Sequence, residues 1–265
     1  MVPDIVELQD IGLSYEGSHG SVQALKRINF SVHEREFLSL VGPSGCGKST
    51  LLRLISGLLK PTEGSIQLKG KPVGGVPHDI GFVFQDDLLL PWKTVYDNII
   101  LALKLRKFDM RQAQAKVEEW ITRIGLKGFE HSYPSQLSGG MRKRVAIAQA
   151  LVYEPELILM DESFSGLDVQ TRNMMENDLL DLWEQLKKTI IFVTHDLEEA
   201  IALSDRIVVL SARPGQIKNI YDVDLGRPRN VNEIKLKPEF HTLYNKIWND
   251  LREEVNKAYA QNKGA

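Results

Sequence analysis

The chain has 265 residues, enough to bury a full core and near the upper end of a single α/β domain. Its 33 Lys+Arg against 35 Asp+Glu leave a net charge of -2, so there is no strong positive field to recruit nucleic acid. One cysteine excludes an internal disulfide and suits a reducing compartment.

The N-terminal run Met1-Val2-Pro3-Asp4-Ile5-Val6-Glu7 carries acid where a signal peptide carries base. Ile5–Leu13 and Val22–Val32 mix apolar and polar positions and are read as strands, with turns at Glu16-Gly17 and Gly70. Glu36–Val41 is a short buried strand feeding a glycine-rich loop. Ser49–Leu58 has helical character and stops at Gly57 and Pro61. From about Asp97 to Ala150 the chain is mostly helical, with Val117, Trp120, Ile121 and Ile124 on one face. Two strand–helix units follow: Leu157–Met160 with a helix over 171–187, and Thr189–Val193 with Leu197–Leu203. Arg206–Leu210 is a further strand. Phe240, Leu243, Ile247, Leu251 and Val255 form one apolar helical stripe, expected to pack on its own domain. No apolar run approaches the roughly 18 residues of a spanning helix, so work at a membrane is expected to need another subunit.

Strands alternating with helices predict an α/β fold with a mostly parallel central sheet and right-handed crossovers. The β-rich start predicts an N-terminal antiparallel β subdomain, and the mid-chain helices an inserted helical subdomain at about 87–152. Residues 1–230 are read as the main domain and 231–265 as a C-terminal helical extension.

The glycine-rich loop is Gly42-Pro43-Ser44-Gly45-Cys46-Gly47-Lys48-Ser49-Thr50, a complete phosphate-binding loop between strand and helix. Its backbone N–H groups would converge on a β-phosphate at a helix N-terminus. Lys48 would bring a point charge to the β/γ-phosphates and Ser49 a hydroxyl ligand for Mg²⁺. Cys46 is read as a small space-filler, because no base accompanies it. Asp161 follows a continuously apolar strand, where ligands sit in open α/β sheets, and would join the Mg²⁺ shell. Glu162, one residue on, is placed to orient an attacking water. Gln85, after Phe82-Val83-Phe84, would touch both Mg²⁺ and that water. A second helix start, Leu137-Ser138-Gly139-Gly140, needs a different phosphate to hold. The simplest candidate is the nucleotide of a second copy, which makes the chain half of an ATP-driven clamp.

Together these residues resemble the nucleotide-binding subunit of ATP-binding cassette transporters, over essentially residues 4–215. Leu137-Ser138-Gly139-Gly140-Met141 matches that family's signature. Ser165-Gly166-Leu167-Asp168 matches its loop connecting two sites, with Asp168 the recurrent acid. His195 matches the switch histidine on the γ-phosphate, and Tyr15 the aromatic that stacks adenine, a contact that reads ATP and GTP alike. The chain departs from the family at Arg142-Lys143-Arg144, where glutamine is common, and at Ser163-Phe164-Ser165, where proline commonly follows the glutamate. Neither change removes a phosphate ligand; altered rates are expected, not lost function.

Pro91–Ile99, Phe192–Ala200 and Ser211-Ala212-Arg213-Pro214-Gly215 resemble the nitrate, sulfonate and taurine importer branch. That resemblance implies ATP and Mg²⁺, a homodimeric clamp, and permease subunits fed by an extracytoplasmic substrate-binding protein. It also implies a position on the cytoplasmic face of the membrane. Leu88-Leu89-Leu90-Pro91-Trp92 is apolar for a loop, and either receives a permease helix or covers its own subdomain. A cassette ATPase acting on DNA or ribosomes is the alternative class; such relatives usually carry two cassettes or long coiled-coil insertions. A P-loop phosphotransferase would have no use for Leu137–Gly140.

Overall fold

The computed structural model describes residues 3–17 and 20–263. In chain order, β1 (Asp4–Gly17) and β2 (Gly20–His33) form a long antiparallel pair. Next, β3 (Phe37–Val41) leads into the phosphate loop and α1 (Lys48–Ile55). After it come β4 (Glu63–Leu68), β5 (Lys71–Pro72) and β6 (Ile80–Val83). Three helices then follow, α2 (Val95–Leu105), α3 (Met110–Arg123) and α4 (Gly139–Leu151). The remainder is β7 (Leu157–Asp161), α5 (Val169–Leu186), β8 (Thr189–Val193), α6 (Leu197–Leu203), β9 (Arg206–Leu210), β10 (Ile217–Asp222), α7 (Val231–Ile234) and α8 (Pro238–Lys263).

Two sheets result. The first is antiparallel, in the order β2-β1-β4-β5; the second has six strands in the order β10-β9-β3-β8-β7-β6. Within the second, β9, β3, β8, β7 and β6 are mutually parallel, and only β10 runs antiparallel. Its central strands are buried on both faces, so they read as unbroken apolar runs rather than alternating ones. The alternation is instead between two cores. Leu38, Leu40, Leu157, Leu159, Ile191 and Val193 pack with α1 against the antiparallel sheet. Phe37, Val41, Ile158, Met160, Ile190 and Phe192 pack against the helices on the other face.

The helical stretch breaks into separate helices for local reasons. Thr94 caps α2 by accepting from Asp97 N–H, and Asp109 caps α3 by accepting from the N–H groups of Arg111 and Gln112. Val117, Trp120 and Ile121 are buried, as the helical spacing predicts. The first core helix is shorter than expected: it ends at Ile55, and Gly57 turns the chain with φ +74°. Residues 217–222 were not anticipated as a strand; they pair with β9 as an edge. The C-terminal stripe packs on its own domain through Phe240, Ile247 and Leu251, while Val255 is exposed. Among the described residues no helix is long and apolar enough to cross a membrane.

Candidate functional site

The order of the parallel strands builds the site. β3, β8, β7 and β6 are consecutive neighbours pointing the same way, so their carboxyl ends lie side by side. Those ends carry the phosphate loop, Thr194-His195, Asp161-Glu162 and, two residues beyond β6, Gln85. A cleft of about 610 Å³ opens there, bordered by Ser44, Gly45, Gly47, Lys48, Ser49 and Thr50 on one side and Gln85, Glu162 and His195 on the other. Tyr15, Val22 and Ala24 come from the antiparallel sheet to line its mouth.

Gly47 shows why the loop needs glycine. Its φ is +107°, and a Cβ there would stand 2.6 Å from Leu25 Cδ2. The loop closes instead over its own lysine: Lys48 Nζ donates to Gly42 O at 2.8 Å and Pro43 O at 3.1 Å. That places the ammonium across the loop mouth. Cys46 is fully buried, and burial pushes its thiol up despite the neighbouring Lys48 charge, as expected of a space-filler.

Opposite the loop, Ser49 Oγ donates to Asp161 Oδ1 at 2.9 Å. Burial raises the Asp161 carboxyl, and the Ser49 hydrogen bond only partly opposes this. A buried carboxylate beside a hydroxyl, at the entrance to a phosphate loop, fits a hard divalent cation. Mg²⁺ characteristically takes few protein ligands and completes its shell with phosphate oxygens and water.

Glu162 has φ +43°, the left-handed region that non-glycine residues rarely adopt. Its N–H donates to Val193 O at 2.9 Å and its carbonyl accepts from Ser165 N–H at 3.0 Å. Those two bonds hold the side chain over the cleft at a strain cost of about 1–3 kcal/mol. There, Glu162 Oε2 lies 3.2 Å from His195 Nδ1 and accepts from Gln85 Nε2 at 3.4 Å. A carboxylate, an imidazole and an amide converging beside a phosphate cradle can orient water and meet a terminal phosphate.

Ser138, Gly139, Gly140 and Asp168 do not border this cleft. Ser138 caps α4, accepting from Met141 N–H at 3.3 Å, and Asp168 caps α5, accepting from Thr171 N–H at 3.0 Å. Gly140 lets the two helix starts meet, since a Cβ on it would lie 2.9 Å from Thr171 Cγ2. Both caps are exposed.

Two residues of the site neighbourhood, Arg213 and Asp87, are given no role by the sequence reading. Arg213 lines the cleft and donates to Gly45 O at 3.4 Å. Its signal was the Ser211–Gly215 turn, which stacks beside the loop through Gly215 N–H to Ala24 O at 2.9 Å. Asp87 pairs with Arg142 and Lys143, each at 3.1 Å, and Lys143 Nζ also donates to Gln85 O. The Arg142-Lys143 departure thus ties α4 to the glutamine segment, a link that only the tertiary structure brings together.

Residues 25–165 match the ABC transporter family. The chain is 48% identical to the uncharacterized ABC transporter ATP-binding protein MJ0412 of Methanocaldococcus jannaschii, over 96% of this chain and 93% of that one. It is 43% identical to the aliphatic sulfonates import ATP-binding protein SsuB of Bacillus thuringiensis, over 91% and 94%. With the nitrate import ATP-binding protein NrtD of Synechocystis it shares 42% identity, over 93% and 95%. Among solved structures, the dimeric ATP-binding cassette MJ0796 bound to ADP and Pi superposes with a TM-score of 0.74 at 33% identity, covering 83% of this chain and all of that one.

Proposed function

The chain belongs to the ABC transporter family, and from that premise we propose that it is the ATP-hydrolysing subunit of an importer for a small anion of the sulfonate, taurine or nitrate kind. The observation that carries the reading is the convergence of Lys48, Ser49, Gln85, Glu162 and His195 on one cleft. Lys48 and the loop N–H groups hold the β- and γ-phosphates. Ser49, Asp161 and Gln85 would hold Mg²⁺, which when bound neutralises phosphate charge. Glu162 orients water, His195 meets the γ-phosphate, and Tyr15 stacks the adenine.

Ser138–Gly140 and Asp168 are surplus to a single cleft, and their exposed helix starts suit the γ-phosphate of a second copy. ATP is then a ligand common to two protomers, and hydrolysis removes the contact that favours the closed pair. Motion would pass to a permease at the surface beyond Gln85, where Leu88 is 59% and Trp92 70% exposed. Asn98 holds this loop rigid by accepting from Leu90 N–H at 2.8 Å and donating to Leu90, Lys93 and Thr94 carbonyls. Leu89, in contrast, packs on the core and covers the chain's own subdomain, which leaves Leu88 and Trp92 as the side chains that would meet a permease. On this reading the chain would sit on the cytoplasmic face of the membrane through its permease, with an extracytoplasmic binding protein delivering substrate.

The test is to tag the chain at its C-terminus, extract it gently from native membranes and identify what co-purifies. A multi-span membrane protein, with or without a binding protein, supports the proposal. Recovery with ribosomes or DNA and no membrane protein overturns it.

A further inference from the structure

Behind the His195 loop lies a pair of buried carboxyl groups that the nucleotide chemistry leaves unused. Glu176, in the middle of α5, is 0% exposed, and neither carboxyl oxygen has a hydrogen-bond partner of the N–H or O–H kind. It faces Glu199 of α6, also buried, closely enough for the two carboxyl groups to share a hydrogen bond. Glu199 is the anchor of the His195 loop. Its Oε2 accepts from Thr194 Oγ1 at 2.5 Å, and Thr194 Oγ1 in turn accepts from Asp196 N–H at 2.9 Å. The residues on both sides of His195 therefore hang on one carboxylate. From α5, Arg172 donates to Leu167 O at 3.1 Å and to Asp196 Oδ2 at 3.4 Å, and its Nε lies 3.7 Å from Glu199 Oε1.

Two ionised carboxylates packed together out of water repel strongly, and a buried acceptor without a donor is costly. One proton between them removes both penalties: Glu176 becomes the donor and Glu199 keeps its negative charge for Arg172 and Thr194. The charged surroundings agree. From the α6 side Glu199 and Asp196 add negative charge. From the segment after α7 comes Lys235, already paired with Glu198 at 3.2 Å.

We propose that Glu176 is a positioning residue for ATP hydrolysis: it stays protonated, donates to Glu199, and through Thr194 holds His195 at the cleft. The inference rests on His195 being the γ-phosphate contact. Burial, then the charge of Glu199, push Glu176 up to about 8. Above that pH the proton leaves to solvent, the two anions repel, and the Thr194 bond that steadies His195 loosens. ATP binding through the phosphate loop is untouched.

The experiment uses the purified full chain. Hydrolysis at saturating ATP is measured against pH for wild type and E176Q, whose amide N–H donates to Glu199 at every pH. Wild type is expected to lose about tenfold between about pH 7 and pH 9, the fall for one ionisation, with nucleotide affinity unchanged. E176Q is expected to lack that limb. In nucleotide-free wild type, a protonated-carboxyl infrared band, absent from E176Q, should vanish over the same range. An identical alkaline limb in E176Q, or no such band at neutral pH, overturns the proposal. H195A separates the two readings: unimpaired hydrolysis by H195A sinks the assignment of His195 and the catalytic consequence with it. The infrared band still decides where the proton lies, because it does not depend on turnover.

Discussion

Glu162 and His195 meet at 3.2 Å across the carboxyl ends of two neighbouring strands, β7 and β8. They are 33 positions apart in the sequence, and the parallel register that pairs Asp161 with Val193 is what brings them together. The contact sets a carboxylate that can polarise water beside an imidazole that can meet a terminal phosphate. The first prediction follows from removing its charge. E162Q keeps the shape and the contact to Gln85 but cannot draw a proton from water. Hydrolysis should fall by about 10²–10⁴ while ATP affinity stays within about threefold. Size-exclusion chromatography with ATP should then show a trapped dimer. Rapid turnover by E162Q would remove Glu162 from the catalytic role.

Gly47 gives a test of the phosphate cradle that involves no charge. Alanine there must both adopt φ +107° and displace Leu25, whose Cδ2 would stand 2.6 Å from the new Cβ. Strain and clash together are worth about 1–3 kcal/mol. The loop, unlike the core strands, can move to relieve them. G47A should therefore keep most of its thermal stability but lose about tenfold or more in affinity for a fluorescent ATP analogue.

Asn98 is fully buried and makes four hydrogen bonds to the backbone of the loop that ends at Thr94. Alanine would orphan Leu90 N–H and Lys93 O and leave a small cavity, while Leu90 O and Thr94 O keep the N–H groups of Lys93 and of residue 98. N98A should lose about 2–4 kcal/mol in urea unfolding and be cut faster by protease between Leu88 and Lys93. Basal ATPase of the isolated chain should change far less, because no atom of Asn98 borders the nucleotide cleft.

Much of this was legible in the sequence. The phosphate loop, Asp161-Glu162 and His195 each follow an apolar run, and an apolar run in a parallel sheet announces both the strand and the end at which ligands sit. Tyr15 was readable only through the family resemblance and Gln85 as the end of the Phe82–Phe84 apolar run, and both reach the cleft. Arg213 was visible only as part of a turn, because what brings it to Gly45 is the parallel bridge between Leu25 and Gly215, a contact across nearly two hundred residues. Glu176 carried no signal at all. A glutamate in a polar helix reads as solvated, and its burial depends on α6 and α7 closing over it. Strand β10 was missed for a related reason: Ile217–Asp222 is half polar, and only pairing with β9 makes it a strand.

Glu254 offers the last prediction, on what fastens the C-terminal helix. It accepts from Ala212 N–H at 2.9 Å, Lys218 Nζ at 3.0 Å and Lys257 Nζ at 2.7 Å, joining α8 to the turn beside the phosphate loop. Burial by itself would raise this carboxyl, but the three donors outweigh it and hold it at about 2. A carboxyl depressed on folding from 4.5 binds fewer protons in the native state than in the unfolded one. Its contribution is therefore complete above about pH 4.5 and is lost as pH falls through about 2. That shift corresponds to about 3 kcal/mol. E254Q, which carries no ionisable group here, should be less stable than wild type by roughly that amount at neutral pH. The gap should close as both are acidified below about pH 4.5, which denaturant melts across that range would measure. A gap that stays constant with pH would mean that the helix is held by the shape of its apolar stripe and not by this ion cluster.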